Sequence, residues 1–164
     1  MFISIAEDEP LTFEDAINSP NSSDWKCAMN EEYESLIKNN TWELCNLPPN
    51  RRMIDSRWVY KVKRNPDGSI ERFKARLVAR GFTQVEGVDY TETFSPVVKY
   101  DSIRFLIAYA VQKGMHIKQF DIKTAFLNGD LDEEIYMKQP RGFIKEHGKV
   151  CKLQRSLYGL KQAP

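Results

Sequence analysis

Arg57-Trp58-Val59-Tyr60-Lys61-Val62-Lys63, then Asn65-Pro66-Asp67-Gly68, then Glu71 through Arg80, is the stretch that decides the fold. Trp58, Tyr60 and Val62 alternate with Arg57, Val59, Lys61 and Lys63, a period of two that predicts a strand. The next four residues are turn chemistry: proline presets φ, aspartate bonds nearby backbone and glycine accepts positive φ. A second strand follows, with Glu71, Phe73, Ala75, Leu77 and Ala79 on one face. Arg72, Lys74, Arg76 and Arg80 lie on the other, interrupted by Val78. The pattern is a basic hairpin. Lys61 and Lys63 share one face of its first strand, and Arg72, Lys74 and Arg76 share one face of its second. If those faces coincide, they form a cationic surface suited to triphosphate or backbone phosphates. A solubilising edge hairpin would carry a similar pattern, and alternation leaves the register open by a residue or two.

The net charge of the 164 residues, +1, conceals this block. Residues 1–56 carry 4 basic and 11 acidic side chains, residues 57–80 carry 8 and 2, and residues 81–164 carry 12 and 10. A hydrophobic content of 41% suffices for a packed core, and 29% charged residues argue against a membrane protein. No apolar run approaches the roughly 20 residues of a transmembrane helix. The opening Met1-Phe2-Ile3-Ser4-Ile5 meets Glu7, Asp8 and Glu9 too soon for a signal peptide. Cys27, Cys45 and Cys151 form no C-x-x-C pair, which argues against a zinc site or a disulfide framework and for an intracellular protein.

Upstream of the hairpin, Thr12 predicts a capped short helix ending near Asn18-Ser19-Pro20. Asp24 predicts the cap of a second helix running to about Asn39. Trp25, Ala28, Met29, Tyr33, Leu36 and Ile37 make one apolar stripe on it. Downstream, Gly81 and Gly87 bound a loop that runs on to Pro96. Asp101 then caps a third helix with Ile103, Leu106, Ile107, Ala110 and Val111 as its buried stripe, stopped at Gly114. His116 to Ile122 reads as a strand, Asn128-Gly129-Asp130 as a turn, Glu134 to Met137 as a strand, and Val150 to Leu153 as the start of another. The order is α+β. No P-loop, H-E-x-x-H, G-x-S-x-G or paired Cys/His ligand set occurs. By residue type alone, Asp121 at a strand end is a turn or cap residue, and Asp130, Asp132, Glu133 and Glu134 are a solvated acidic face.

Read together, the motifs resemble one family, the reverse transcriptase of copia-type (Pseudoviridae) long-terminal-repeat retrotransposons. The matching stretches include Trp25 to Glu32, Asn40 to Leu44, Arg57 to Lys63, Lys74 to Gln84 and Asp89 to Val98. The most specific are Asp121-Ile122-Lys123-Thr124-Ala125-Phe126-Leu127-Asn128-Gly129 and Ser156-Leu157-Tyr158-Gly159-Leu160-Lys161-Gln162-Ala163-Pro164. The resemblance covers the chain from about Glu9 onward.

That resemblance implies a right-hand polymerase fold, with fingers and the first part of the palm. Residues 1–23 would be a linker with a short helix. Residues 24–164 would be a partial reverse transcriptase domain, with the fingers hairpin at 57–80 and the palm starting at 115–164. The hairpin would close over the incoming nucleotide, with Lys61 or Lys63, and Lys74 or Arg76, on its triphosphate. Asp121 would be the first catalytic, magnesium-binding aspartate, and Ile122 would add a backbone carbonyl to the metal. Phe126 would be the steric gate that selects deoxynucleotides, and Gln162 would lie in the segment lining the nucleotide pocket. The implied partners are a primer–template of RNA or DNA and deoxynucleoside triphosphates, with no membrane; the implied setting is a cytoplasmic particle.

The family also carries two adjacent aspartates in a later hairpin, and no Asp-Asp pair occurs here before Pro164. Thumb, ribonuclease H, protease and integrase segments are missing from the sequence as well. The expectation is therefore a partial RNA-directed DNA polymerase that has no activity alone. The alternative is a non-catalytic nucleic-acid-binding or interaction domain derived from such an element.

Overall fold

The computed structural model describes residues 9–85, 87, 90, 98–120, 131 and 133–162. Helix α1 (Phe13–Asn18) opens with a full capping box: Thr12 Oγ1 accepts the Asp15 N–H, and the Asp15 carboxylate accepts the Thr12 N–H. Helix α2 (Ser22–Lys38) starts two residues before Asp24, with Asn21 at its cap position, so Asp24 sits inside the first turn rather than capping it. The anionic side chain still opposes the positive end of the helix dipole there. Of the expected stripe, Trp25, Ala28, Met29 and Leu36 are buried, Tyr33 packs partly against them, and Ile37 is exposed.

Two short strands appear where no alternation is long enough to read: β1 (Trp42–Cys45) and β2 (Met53–Ile54). They border a four-stranded sheet ordered β1-β6-β5-β2, in which β5 is Tyr136–Met137 and β6 is Val150–Leu153. β1 and β5 run antiparallel to β6, whereas β2 runs parallel to β5. The hairpin forms its own two-stranded sheet, β3 (Ser56–Arg64) with β4 (Ile70–Ala79). Gly68 takes φ +87° in the connection, as the turn chemistry requires.

One core joins these pieces. The inner hairpin face (Trp58, Tyr60, Val62, Ala75 and Leu77) meets Trp25 and Met29 of α2. The Trp25 ring stands edge-on to Tyr60 and Phe73, with centroids 5.2 and 4.7 Å away. Two polar tips in this core are satisfied, Trp58 Nε1 donating to the Arg141 carbonyl at 3.0 Å and Thr41 Oγ1 to the Leu36 carbonyl at 2.7 Å, whereas the buried Trp25 Nε1 has no hydrogen-bond partner among the described residues.

Downstream, three expectations fail. Helix α3 (Tyr100–Gln112) forms and stops at Gly114, whose φ is +62°, but Lys99 rather than Asp101 occupies its cap position. None of its residues is buried; Ile103, Leu106, Ile107 and Val111 all lie exposed. Apolar spacing identifies which face of a helix can pack, and says nothing of what packs there. Residues 116–120 carry no strand ladder among the described residues and are exposed, because alternation alone supplies no partner edge. The remainder of that expected strand, Asp121 and Ile122, and the turn at 128–130 lie outside the described residues. Among the described residues no helix is long and apolar enough to cross a membrane.

Candidate functional site

The hairpin register settles whether its basic faces coincide. Lys61 pairs with Lys74, Lys63 with Arg72, Val59 with Arg76, and Arg57 with Val78. Directly opposed residues of an antiparallel pair project from the same face. Arg57, Lys61, Lys63, Arg72, Lys74 and Arg76 therefore share one face, opposite the buried Trp58, Tyr60, Val62, Ala75 and Leu77. The register shifts only at the turn end, between Lys63 and Arg64. Opposed like charges such as Lys61/Lys74 and Lys63/Arg72 cost on the order of 0.2–1 kcal/mol each. A sheet that bears this cost on one face presents a field that an anion relieves.

The surroundings relieve it only in part. Burial pushes the Lys74 amine below its ordinary pKa, and the Arg76 and Arg72 charges push the same way; Glu32 opposes them. Glu32 reaches from α2 to the outer edge of β4, where its carboxylate accepts the Leu77 N–H at 3.3 Å. Burial raises the Glu32 pKa, against the pull of that hydrogen bond and of Arg76 and Lys74. Arg76 lies over the Tyr158 ring, 5.3 Å from its centroid. Lys63 has no ion-pair partner among the described residues, and Arg72 has only its neighbour Glu71 at 3.8 Å.

Two glycines seat the Ser156–Gln162 segment against the root of this face. The Gly81 N–H donates to the Gly159 carbonyl at 3.1 Å, and the Ala79 N–H donates to the Tyr158 carbonyl at 2.7 Å. A Cβ on Gly81 would lie 2.0 Å from the Gly159 oxygen, and one on Gly159 would lie 2.2 Å from the Ala79 oxygen. Only backbone fits there. The joint brings Tyr158 to Arg76 and fixes Gln162. Gln84, 7% exposed, accepts the Lys161 N–H at 2.8 Å and donates to Gln162 Oε1 at 3.1 Å. Gln162 in turn donates to Glu133 at 3.3 Å.

Of the expected site residues, the structure brings Lys61, Lys63, Lys74 and Arg76 together and anchors Gln162 beside the same hairpin's root. Asp121, Ile122 and Phe126 lie outside the described residues. Among the described residues no three His, Cys, Asp or Glu side chains gather so as to hold a metal ion. Sequence reasoning missed the parts played by Glu32, Gln84 and Tyr158. No local pattern marks them, because each acts across a long stretch of chain; Gln84 and Gln162 are 78 positions apart.

Comparison with known proteins gives the context. Residues 39–164 match the family model described as reverse transcriptase (RNA-dependent DNA polymerase). The chain is 48% identical over 167 residues to the retrovirus-related Pol polyprotein from transposon TNT 1-94 of Nicotiana tabacum, covering 99% of this chain and 12% of that protein. It is 47% identical over 162 residues to the corresponding polyprotein from transposon RE1 of Arabidopsis thaliana, covering 97% and 11%. The truncated transposon Ty1-A Gag-Pol polyprotein of Saccharomyces cerevisiae is 33% identical over 142 residues, covering 83% and 11%. The chain thus spans only about a tenth of the length of these relatives. No solved structure matches it. The chain belongs to the reverse transcriptase (RNA-dependent DNA polymerase) family, as the reverse transcriptase segment of copia-type, retrovirus-related Pol polyproteins.

Proposed function

We propose that residues 24–164 form the fingers and first palm segment of a right-hand polymerase, and that the outer face of the 57–80 hairpin holds the phosphates of its substrates. The observation that carries this is the register, which gathers Lys61, Lys63, Lys74 and Arg76 on one side of a two-stranded sheet. Arg76, braced by Tyr158, supplies a planar fork for paired phosphate oxygens, and the three lysines supply point charges around it. The ligands are a deoxynucleoside triphosphate and the backbone of a primer–template. Gln162, with its amide oriented by Gln84 and Glu133, borders the nucleotide at the hairpin root.

In this proposal Asp121 and the Ile122 carbonyl would hold magnesium, which would supply charge stabilisation to phosphoryl transfer, and Phe126 would exclude a ribose 2′-hydroxyl. In the same proposal the hairpin cations and Gln162 bind and orient the substrates. The 164 residues contain no adjacent aspartate pair. Alone they bind primer–template without extending it; the setting in the parent family is a cytoplasmic virus-like particle. Incubation with an RNA template, a DNA primer, magnesium and deoxynucleotides tests this. Bound primer with no extension product is expected; template-dependent product overturns the inactivity, and failure to bind at low salt overturns the site.

A further inference from the structure

The cationic face already holds one anion of its own. Glu9 Oε1 and Oε2 lie 3.0 and 3.1 Å from Lys61 Nζ, and Glu9 Oε1 also accepts the Val62 N–H at 3.0 Å. Burial opposes ionisation of this carboxyl. The Val62 N–H and Lys61 nevertheless overcome it and hold the group below the usual carboxylate range. An ammonium and a backbone N–H are what two oxygens of a phosphate would meet at the same place.

The carboxylate is delivered there by structure. Pro10 fixes φ directly after Glu9, and the α1 capping box begins at Thr12. Glu14 of α1 is in turn ion-paired to Arg141. The chain just after Glu9 is thereby tied down. Lys61 keeps 61% of its side chain exposed, and Glu9 only 23%. The lysine is reachable by a ligand while the glutamate is backed by protein.

We propose that Glu9 is an intramolecular competitor for phosphate at Lys61, an acidic clasp that an incoming polyphosphate must displace. The idea rests on the phosphate-binding reading of the hairpin. A partly exposed ion pair is weak, so the clasp raises the threshold for binding without closing the site. A ligand with several phosphates outbids it by engaging Lys63, Lys74 and Arg76 as well, whereas a single phosphate does not.

Calorimetric titration of the whole chain with inorganic triphosphate at low ionic strength tests this, in wild type, Glu9→Gln, Lys61→Ala and the double variant. Glutamine keeps an oxygen for the Val62 N–H and removes the charge. Glu9→Gln should tighten triphosphate binding about two- to five-fold, the range of an exposed ion pair, and should do much less in the Lys61→Ala background. A short single-stranded oligodeoxynucleotide titrated in parallel distinguishes the source of the phosphate: a gain confined to triphosphate assigns the clasp to the nucleotide, and a gain with both assigns it to phosphates of either kind. An unchanged affinity in Glu9→Gln, or an equal gain with Lys61 removed, overturns the clasp while the phosphate site stands, provided that Arg76→Ala weakens binding. Wild type that binds neither probe, or Arg76→Ala that binds both normally, overturns the hairpin reading and the clasp with it.

Discussion

Replacing Gly159 with alanine strikes the joint between the hairpin and the Ser156–Gln162 segment. Two costs are separable. Gly159 has φ +89°, a conformation that costs an L-residue about 1–2 kcal/mol. The new Cβ would also lie 2.2 Å from the Ala79 oxygen and 2.6 Å from Val78 Cγ1. A backbone oxygen cannot rotate aside, so the segment must move, at a further cost of about 1–3 kcal/mol. Such movement weakens the Ala79 N–H to Tyr158 carbonyl bond of 2.7 Å. The expected total is about 2–5 kcal/mol, a large fraction of the ~5–15 kcal/mol that keeps a domain folded. Gly68 supplies the control: its φ is +87°, but nothing lies within 4 Å of a Cβ there, so Gly68→Ala bears the conformational cost alone. Urea titration followed by tryptophan fluorescence reads both. With an m-value of about 2 kcal/mol/M, Gly159→Ala should move the midpoint down by roughly 1–2.5 M and Gly68→Ala by roughly 0.5–1 M. Equal shifts would refute the argument that close backbone approach, rather than φ, makes Gly159 necessary.

Trp25→Ala removes a fully buried ring that touches both Tyr60 and Phe73, and should cost about 3–5 kcal/mol by the same titration; a loss under about 1 kcal/mol would mean that the α2–hairpin core is not what holds the sheet. Burial, with a smaller effect of Cys45, pushes the Cys151 thiol up to about 12 from an ordinary 9.0. The unfolded chain therefore sheds this proton first as pH rises, and the folded state loses up to ~1.4 kcal/mol per pH unit between those values; unfolding midpoints at pH 8 and pH 10 should diverge more in wild type than in Cys151→Ala. Iodoacetamide at neutral pH should label the exposed Cys27 in the folded chain and Cys151 only after denaturation, as peptide mass spectrometry would register.

How much of this could be read from residues alone differs by element. The hairpin was legible because a two-residue period and an Asn65-Pro66-Asp67-Gly68 turn mark its faces and its strands, which end within a residue or so of expectation, whereas its register came only from the structure. β1 and β2 were not, since four and two residues are too few for any period to declare itself. The α3 stripe was visible as a pattern, yet the pattern carries no information about its cover. At the site, the cations were legible by type. Their braces were not: Glu32 on Leu77, Tyr158 under Arg76 and Gln84 on Gln162 are products of tertiary proximity. Asp121 and Phe126 enter through family resemblance, since a strand-end aspartate and a lone aromatic have ordinary explanations in any sequence.

Phosphate binding rests on the basic face of the hairpin, where Arg57, Lys61, Lys63, Arg72, Lys74 and Arg76 project together. The most direct measurement is the salt dependence of primer–template affinity, by fluorescence anisotropy, for wild type and for Lys63→Ala/Arg76→Ala. Each phosphate-neutralising cation contributes about one unit to the slope of log K against log salt. Wild-type affinity should fall steeply as salt rises, and the double variant should lose about two units of that slope with its folded-state stability unchanged. An affinity indifferent to salt, or a slope that survives the loss of both side chains, would contradict the claim.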